Sequence, residues 1–266
     1  MSRLHNKLDR LRTDNRKALI TFITAGDPDP GVTVAAMSGL VAGGADVLEL
    51  GLPFSDPEAD GPAIQASSER ALAHRITLPR VLEMVSDFRK LDDNTPIVLM
   101  GYLNPILTMG VATFAELAEA SGVDGLIMVN LPPEEAEEIA PLLKAHDIDL
   151  IYLVAPTTTE ARVRFIAQRA QGFVYYVALK GTTGANHIDV ESVAEHVTAL
   201  KATTDLPVMV GFGIKDGPSA KAAARCADGV VVGTVLVSIM GASGATNAIP
   251  EALTRCVKEI REALDA

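Results

Sequence analysis

The chain has 266 residues, 48% of them apolar and 21% charged, with a formal net charge of −11. That length and apolar fraction provide one large core, and the acidic balance excludes a nucleic-acid or anionic-membrane surface as the main partner. The two cysteines, Cys226 and Cys256, have no CxxC spacing, and the first residues, with Arg3, Lys7, Arg10 and Arg12, carry no apolar signal-peptide core, so the chain reads as a reduced cytoplasmic protein.

Leu4, Leu8 and Leu11 recur at helical spacing and predict an extra amphipathic helix ahead of the first strand. Residues 18–24 are apolar and β-branched, and the cluster Gly26-Asp27-Pro28 ends them as a turn ends a strand. Val34, Met37, Leu40 and Val41 follow with helical spacing up to Gly43-Gly44, and residues 47–50 form the next apolar run. Two helical patterns come next, over 62–74 and around Val81, Met84, Val85 and Phe88, before a strand over 96–100 that ends in the turn-like Gly101-Tyr102-Leu103-Asn104-Pro105. After a helix around Phe114, residues 125–129 form a strand, and a helix opens at Pro133-Glu134-Glu135, where Pro141 should break or kink it. Strands at 150–154, 173–177, 207–210 and 229–232 complete the series, separated by helical patterns near Val163 and over 190–200. Near-continuous apolar strands alternating with helices predict a parallel sheet buried on both faces. Eight such units indicate a closed (β/α)₈ TIM barrel forming one domain over residues 1–266, with an open doubly wound sheet as the alternative.

The stretch around which the loops are organised begins inside the second strand, where Glu49 interrupts an apolar run, and continues as a loop with Ser55, Asp56, Glu58 and Asp60. A lone carboxylate in a dry strand is expensive, so Glu49 is expected at a strand end that opens on a polar cavity, either as an acid/base group or in a structural ion pair. Three glycine loops follow strands six to eight: Thr183-Gly184, Gly211-Phe212-Gly213 and Gly233-Thr234. Barrels often hold phosphate there, because glycine lets backbone N–H groups approach the oxygens. The five histidines show no metal-ligand spacing, so no metal is expected. Lys180 is the only lysine near a strand end, and a solvated loop lysine is commoner than a Schiff-base one. What remains is carboxylate acid/base chemistry by Glu49 and Asp60.

The run Glu49-Leu50-Gly51-Leu52-Pro53-Phe54-Ser55-Asp56-Pro57-Glu58-Ala59-Asp60-Gly61-Pro62 closely resembles the signature of the tryptophan synthase α subunit family. Phe22-Ile23-Thr24-Ala25-Gly26-Asp27-Pro28, Met100-Gly101-Tyr102-Leu103-Asn104-Pro105, Leu131-Pro132-Pro133-Glu134-Glu135, Tyr175-Tyr176-Val177 and Gly211-Phe212-Gly213-Ile214 fall in family order, so the resemblance spans the chain. It implies a (β/α)₈ lyase that cleaves indole-3-glycerol phosphate to indole and glyceraldehyde 3-phosphate. By the same resemblance Glu49 transfers the proton, Asp60 meets the indole N–H, and Phe22, Met100, Tyr102, Tyr175 and Phe212 line the indole pocket. Thr183, Gly184, Gly211, Gly213, Gly233 and Thr234 would take the phosphate, and Asp56 would lie on the partner-facing loop. The implied partner is a β subunit carrying pyridoxal phosphate, in an α₂β₂ heterotetramer, with no cofactor on this chain. A stand-alone lyase releasing indole, or another phosphosugar barrel enzyme such as an isomerase, is the alternative. The sequence departs from the family at Asn130 (usually Asp), Ala178 (Ser), Thr182 (Val or Ile) and Thr234 (Ser). Neither the loop 53–60 nor the loop 179–187 has the apolar content to hold itself closed, so partner-driven closure is expected.

Overall fold

Short apolar strands that all run one way need a return path, and here each return is helical. The computed structural model describes residues 2–178, 190–211, 213–242 and 246–266. In chain order the elements are α1 (Arg3–Thr13), β1 (Ala18–Thr24), α2 (Thr33–Ala42), β2 (Val47–Gly51), α3 (Pro62–Ala73), α4 (Leu78–Arg89), β3 (Ile97–Gly101), α5 (Leu103–Met109), α6 (Val111–Ser121) and β4 (Gly125–Met128). They continue with α7 (Ala140–Ala145), β5 (Asp149–Val154), α8 (Glu160–Ala167), β6 (Val174–Val177), α9 (Val190–Lys201), β7 (Val208–Gly211), α10 (Gly217–Ala224), β8 (Gly229–Val232), α11 (Thr234–Ala242) and α12 (Ile249–Asp265). The strands pair in sequence order, every pair parallel, and β1 pairs with β8 to close the barrel. The open-sheet alternative is therefore excluded.

Strand parity divides the core in two. Residues such as Leu19, Leu48, Leu99, Leu126 and Val210 face outward into the shell of helices, while Ile20, Val47, Val98, Ile127, Ile151, Phe173, Met209 and Val231 pack together inside the barrel. Leu4, Leu8 and Leu11 of α1 join that inner cluster and plug the N-terminal end. The plug is tied down by Arg3, whose guanidinium reaches the Asp93 carboxylate at 2.5 Å and that of Asp124 at 3.3 Å. At the far end of the chain α12 presents Ile249, Leu253, Val257 and Ile260, spaced for one helical face, to α2. The close approach needs glycine, since a Cβ at Gly39 would sit 2.5 Å from the Pro250 carbonyl oxygen.

Two local expectations need correction. Of residues 101–105, read as a turn, the last three open the helix α5, because Pro105 lies in its first turn, where a missing N–H is harmless. Pro133–Glu135 is an isolated 3-10 turn, and the helix proper starts at Ala140 with Pro141 in its first turn, so Pro141 opens a helix instead of kinking one.

Candidate active site

The inward-facing parity of β1, β2, β3 and β6 brings Phe22, Glu49, Met100 and Tyr175 to the C-terminal half of the barrel interior, above the plugged end. Phe22 and Val98 flank Glu49 in register on the two neighbouring strands. Two glycines make room for the rings. A Cβ at Gly51 would lie 2.6 Å from Phe22 Cζ, and one at Gly211 would strike the Tyr175 ring, 2.6 Å from its Cζ. Gly211 thus lies against Tyr175, and Gly233 lies beside Phe22, where a Cβ would be 3.3 Å from that of Phe22.

Glu49 departs from the expected setting. It sits in the middle of β2, not at its end, with 1% of its surface exposed, and its Oε2 makes no hydrogen bond among the described residues. Burial first, and the neighbouring Asp60 charge second, raise its carboxyl to about 8, so at neutral pH it carries its proton. Burial and the nearby Glu49 also push the Tyr175 hydroxyl well above its ordinary value.

Asp60 comes from the loop between β2 and α3, and is half-buried. Burial raises its carboxyl to about 6 against a hydrogen bond from Tyr102 that lowers it, so Asp60 is ionised at neutral pH. The loop is fastened more firmly than its composition suggests. Tyr102 accepts the Ala59 N–H at 2.9 Å and stacks on Phe54 with ring centroids 4.7 Å apart. From the first turn of α3, Gln65 donates to the carbonyls of Asp60 at 2.9 Å and Pro57 at 3.3 Å. The exposed crest between these anchors holds Ser55 and Asp56, with the Ser55 hydroxyl donating to the Asp56 carboxylate at 2.6 Å.

The helix behind the loop is itself bolted to β1. Thr24 and Ser67 hydroxyls lie 2.6 Å apart, and Arg70 grips the fully buried Asp27 through two hydrogen bonds of 2.6 and 2.9 Å. None of Gln65, Ser67 or Arg70 was singled out from the sequence, because polar residues in an amphipathic helix carry no mark of which strand they meet. Asp27 and Thr24 stood in a recognised motif, and that was the available signal.

A narrow cavity opens between Phe22, Thr24, Asp60, Ile64, Met100 and Tyr102. A larger groove runs along the rim past Asn130, Pro132, Leu153 and Arg162. The carboxylate chemistry belongs to the smaller space, since the rim groove has no acid in its lining. Asn130 caps α5 there, accepting the Leu103 N–H at 2.9 Å and donating to Asn104 at 3.4 Å, a donation an aspartate could not make.

On the opposite side of the mouth, Gly213 adopts φ +76°, a left-handed conformation that favours glycine, and α11 starts at Thr234. The first hydrogen bonds of α11 run from Leu236 and Val237 to the Gly233 carbonyl, so the preceding N–H groups at the helix N-terminus have no partner within the helix. Thr183, Gly184 and Phe212, as well as Lys180 and Thr182, lie outside the described residues. Ala178 is buried, with its N–H bonded to the Gly211 carbonyl at 3.0 Å.

Comparison with known proteins agrees over the whole length. A family model described as tryptophan synthase alpha chain matches residues 8–265. The chain is similar to the tryptophan synthase alpha chain of Laribacter hongkongensis, at 54% identity covering 100% of both chains. It is also similar to that of Chromobacterium violaceum, at 55% identity over 99% of this chain and 100% of the other. Among solved structures, tryptophan synthase subunit alpha from Legionella pneumophila superposes with a TM-score of 0.92 at 46% identity, over 100% of this chain and 99% of that one.

Proposed function

Because the chain belongs to the tryptophan synthase alpha chain family, lyases that cleave indole-3-glycerol phosphate to indole and glyceraldehyde 3-phosphate, we propose that Glu49 moves the protons of this reaction and Asp60 stabilises the charge it creates. One observation carries this assignment: the Glu49 and Asp60 carboxyl groups are close enough for the charge of Asp60 to act on Glu49, and their surroundings hold one protonated up to about 8 and the other ionised above about 6. The Glu49 carboxyl donates its proton to C3 of the indole ring, and the ring nitrogen becomes positively charged. The Asp60 carboxylate accepts the hydrogen bond of that N–H. The Glu49 carboxylate then removes the proton from the side-chain hydroxyl next to the ring. The carbon–carbon bond breaks, its electron pair neutralises the ring, and the hydroxyl carbon becomes the aldehyde. Glu49 ends as it began, protonated.

Phe22, Met100, Tyr102, Tyr175 and Phe212 would form the indole pocket. The N–H groups around Gly213, Gly233 and Thr234, with Thr183 and Gly184, would take the phosphate, a reading supported by the start of α11 at the mouth. Gly211 contributes mainly by making room for Tyr175. Residues 1–266 are read as one domain, on the support of the β1–β8 closure and the packing of α12 on α2. The chain itself would carry no cofactor, and the partner would be a β subunit bearing pyridoxal phosphate in an α₂β₂ assembly in the cytoplasm, docked where Asp56 is exposed. Among the described residues no helix is long and apolar enough to cross a membrane.

The test is indole release by the purified chain. Glu49→Gln and Asp60→Asn should each lower kcat by about 10² to 10⁴, the range for acid/base groups. The wild-type kcat/KM should decline below about 6, where Asp60 is neutralised, and above about 8, where Glu49 loses its proton. Substantial activity in Glu49→Gln would sink the assignment.

A further inference from the structure

Tyr102 sits between the end of β3 and the start of α5, 6% exposed, and touches the β2–α3 loop on both sides of its exposed crest. Its ring stacks on Phe54 at an interplanar angle of 17°, before the crest. Its hydroxyl accepts the Ala59 N–H at 2.9 Å, next to Asp60 in the chain and after the crest, and lies close enough to the Asp60 carboxylate to hold its pKa down against burial. A phenol has one proton to give. An ionised carboxylate can only accept, and the Ala59 N–H can only donate, so the backbone amide occupies a lone pair of the hydroxyl and leaves its proton for Asp60. A phenylalanine would line an indole pocket equally well, so lining does not account for the hydroxyl.

We propose that Tyr102 is a positioning residue, whose hydroxyl, oriented by the Ala59 amide, donates to Asp60 and fixes its carboxylate where the indole nitrogen arrives. The proposal rests on the role assigned to Asp60 above. The ionisable groups around this pair among the described residues are Glu49 from β2, Glu58 from the same loop and Tyr102 itself. Burial opposes a negative Asp60, which leaves the Tyr102 hydroxyl as the interaction that favours its charged form. Hydrogen bonds to charged groups are also the strong ones, and they fix direction as well as energy.

The experiment compares Tyr102→Phe, Phe54→Leu and Asp60→Asn in the full chain, by the pH dependence of kcat for indole release and by NMR titration of the Asp60 carboxyl. Tyr102→Phe keeps the stacked ring and removes only the hydroxyl. It should lower kcat about 10- to 100-fold, the loss of one hydrogen bond to a charged group, with KM changed much less. The acid limb of the profile and the Asp60 titration should both move to higher pH. Phe54→Leu removes the stack but keeps the hydroxyl, so the acid limb should stay in place. Adding Tyr102→Phe to Asp60→Asn should cost little more than Asp60→Asn alone, because the two residues act as a unit. A wild-type acid limb and kcat in Tyr102→Phe, beside an inactive Asp60→Asn, overturns the proposal and leaves the role of Asp60 intact. An equal shift in Phe54→Leu also overturns it, since loop order and not the hydroxyl would then set Asp60. An active Asp60→Asn overturns the assignment of Asp60 itself.

Discussion

Glu49 faces the barrel interior between Phe22 and Val98, and among the described residues no cation acts on its carboxyl. Its carboxyl keeps its proton up to about 8 in the fold, whereas an unfolded glutamate releases it near 4.5. Between those values the native state holds a proton that the unfolded chain has lost, so stability falls as pH rises through this window and levels off above it. Glu49→Gln removes the titration while keeping shape and hydrogen-bonding capacity. The variant should be as stable as wild type near pH 4.5 and more stable at pH 8.5, by an amount on the order of a few kcal/mol, while its activity is lost. Urea unfolding at the two pH values checks this, and a pH-independent difference would contradict the buried neutral acid. Glu49 and Asp60 were legible in the sequence because carboxylates are rare in such company. The fastening of Asp60 by Tyr102 was not, because it depends on how two loops from different strands meet, and neither periodicity nor composition encodes that meeting.

Strands of a parallel barrel begin with N–H groups that their neighbours leave unpaired, and this chain closes several of them with aspartates. Asp46, just before β2, accepts the Leu19 N–H at 2.9 Å; Asp124, before β4, accepts that of Ile97 at 2.8 Å; and Asp228, before β8, accepts that of Val208 at 2.9 Å. Each also meets a cation: Arg261, Arg89 and Lys201 respectively. The depth differs, and so should the consequence. Asp124→Ala would strand the buried Arg89 guanidinium and the Ile97 amide, and should cost about 3 to 5 kcal/mol in denaturant unfolding. Asp228→Ala, whose partner Lys201 is partly in water, should cost only about 1 kcal/mol. Equal losses would mean that the backbone cap, not the ion pair, dominates. The strands themselves were readable as apolar runs between glycines and prolines. Their aspartate closures read only as punctuation, and α5 was hidden because Asn104 and Pro105 look like a turn until the first helical turn accommodates them.

At the scale of the molecule, the loop crest with Ser55 and Asp56 is exposed at the mouth, while both its flanks are tied to the barrel. Tyr102, Phe54 and Gln65 fasten those flanks, so the closure expected of a partner concerns the crest between them. A partner acting on the crest needs to contribute only about 3 kcal/mol of differential contact to raise a competent state from about 1% to half. Saturating β subunit should increase kcat for indole release by about tenfold or more, and Asp56→Ala should weaken that increase. An unchanged kcat in a complex shown to form would favour the stand-alone lyase. The α1 plug gives this mouth a further significance. With Leu4, Leu8 and Leu11 stoppering the lower end, the barrel is a blind-ended vessel. Substrate, both products and displaced water must pass the same aperture, so whatever covers it governs the order of every arrival and departure at once.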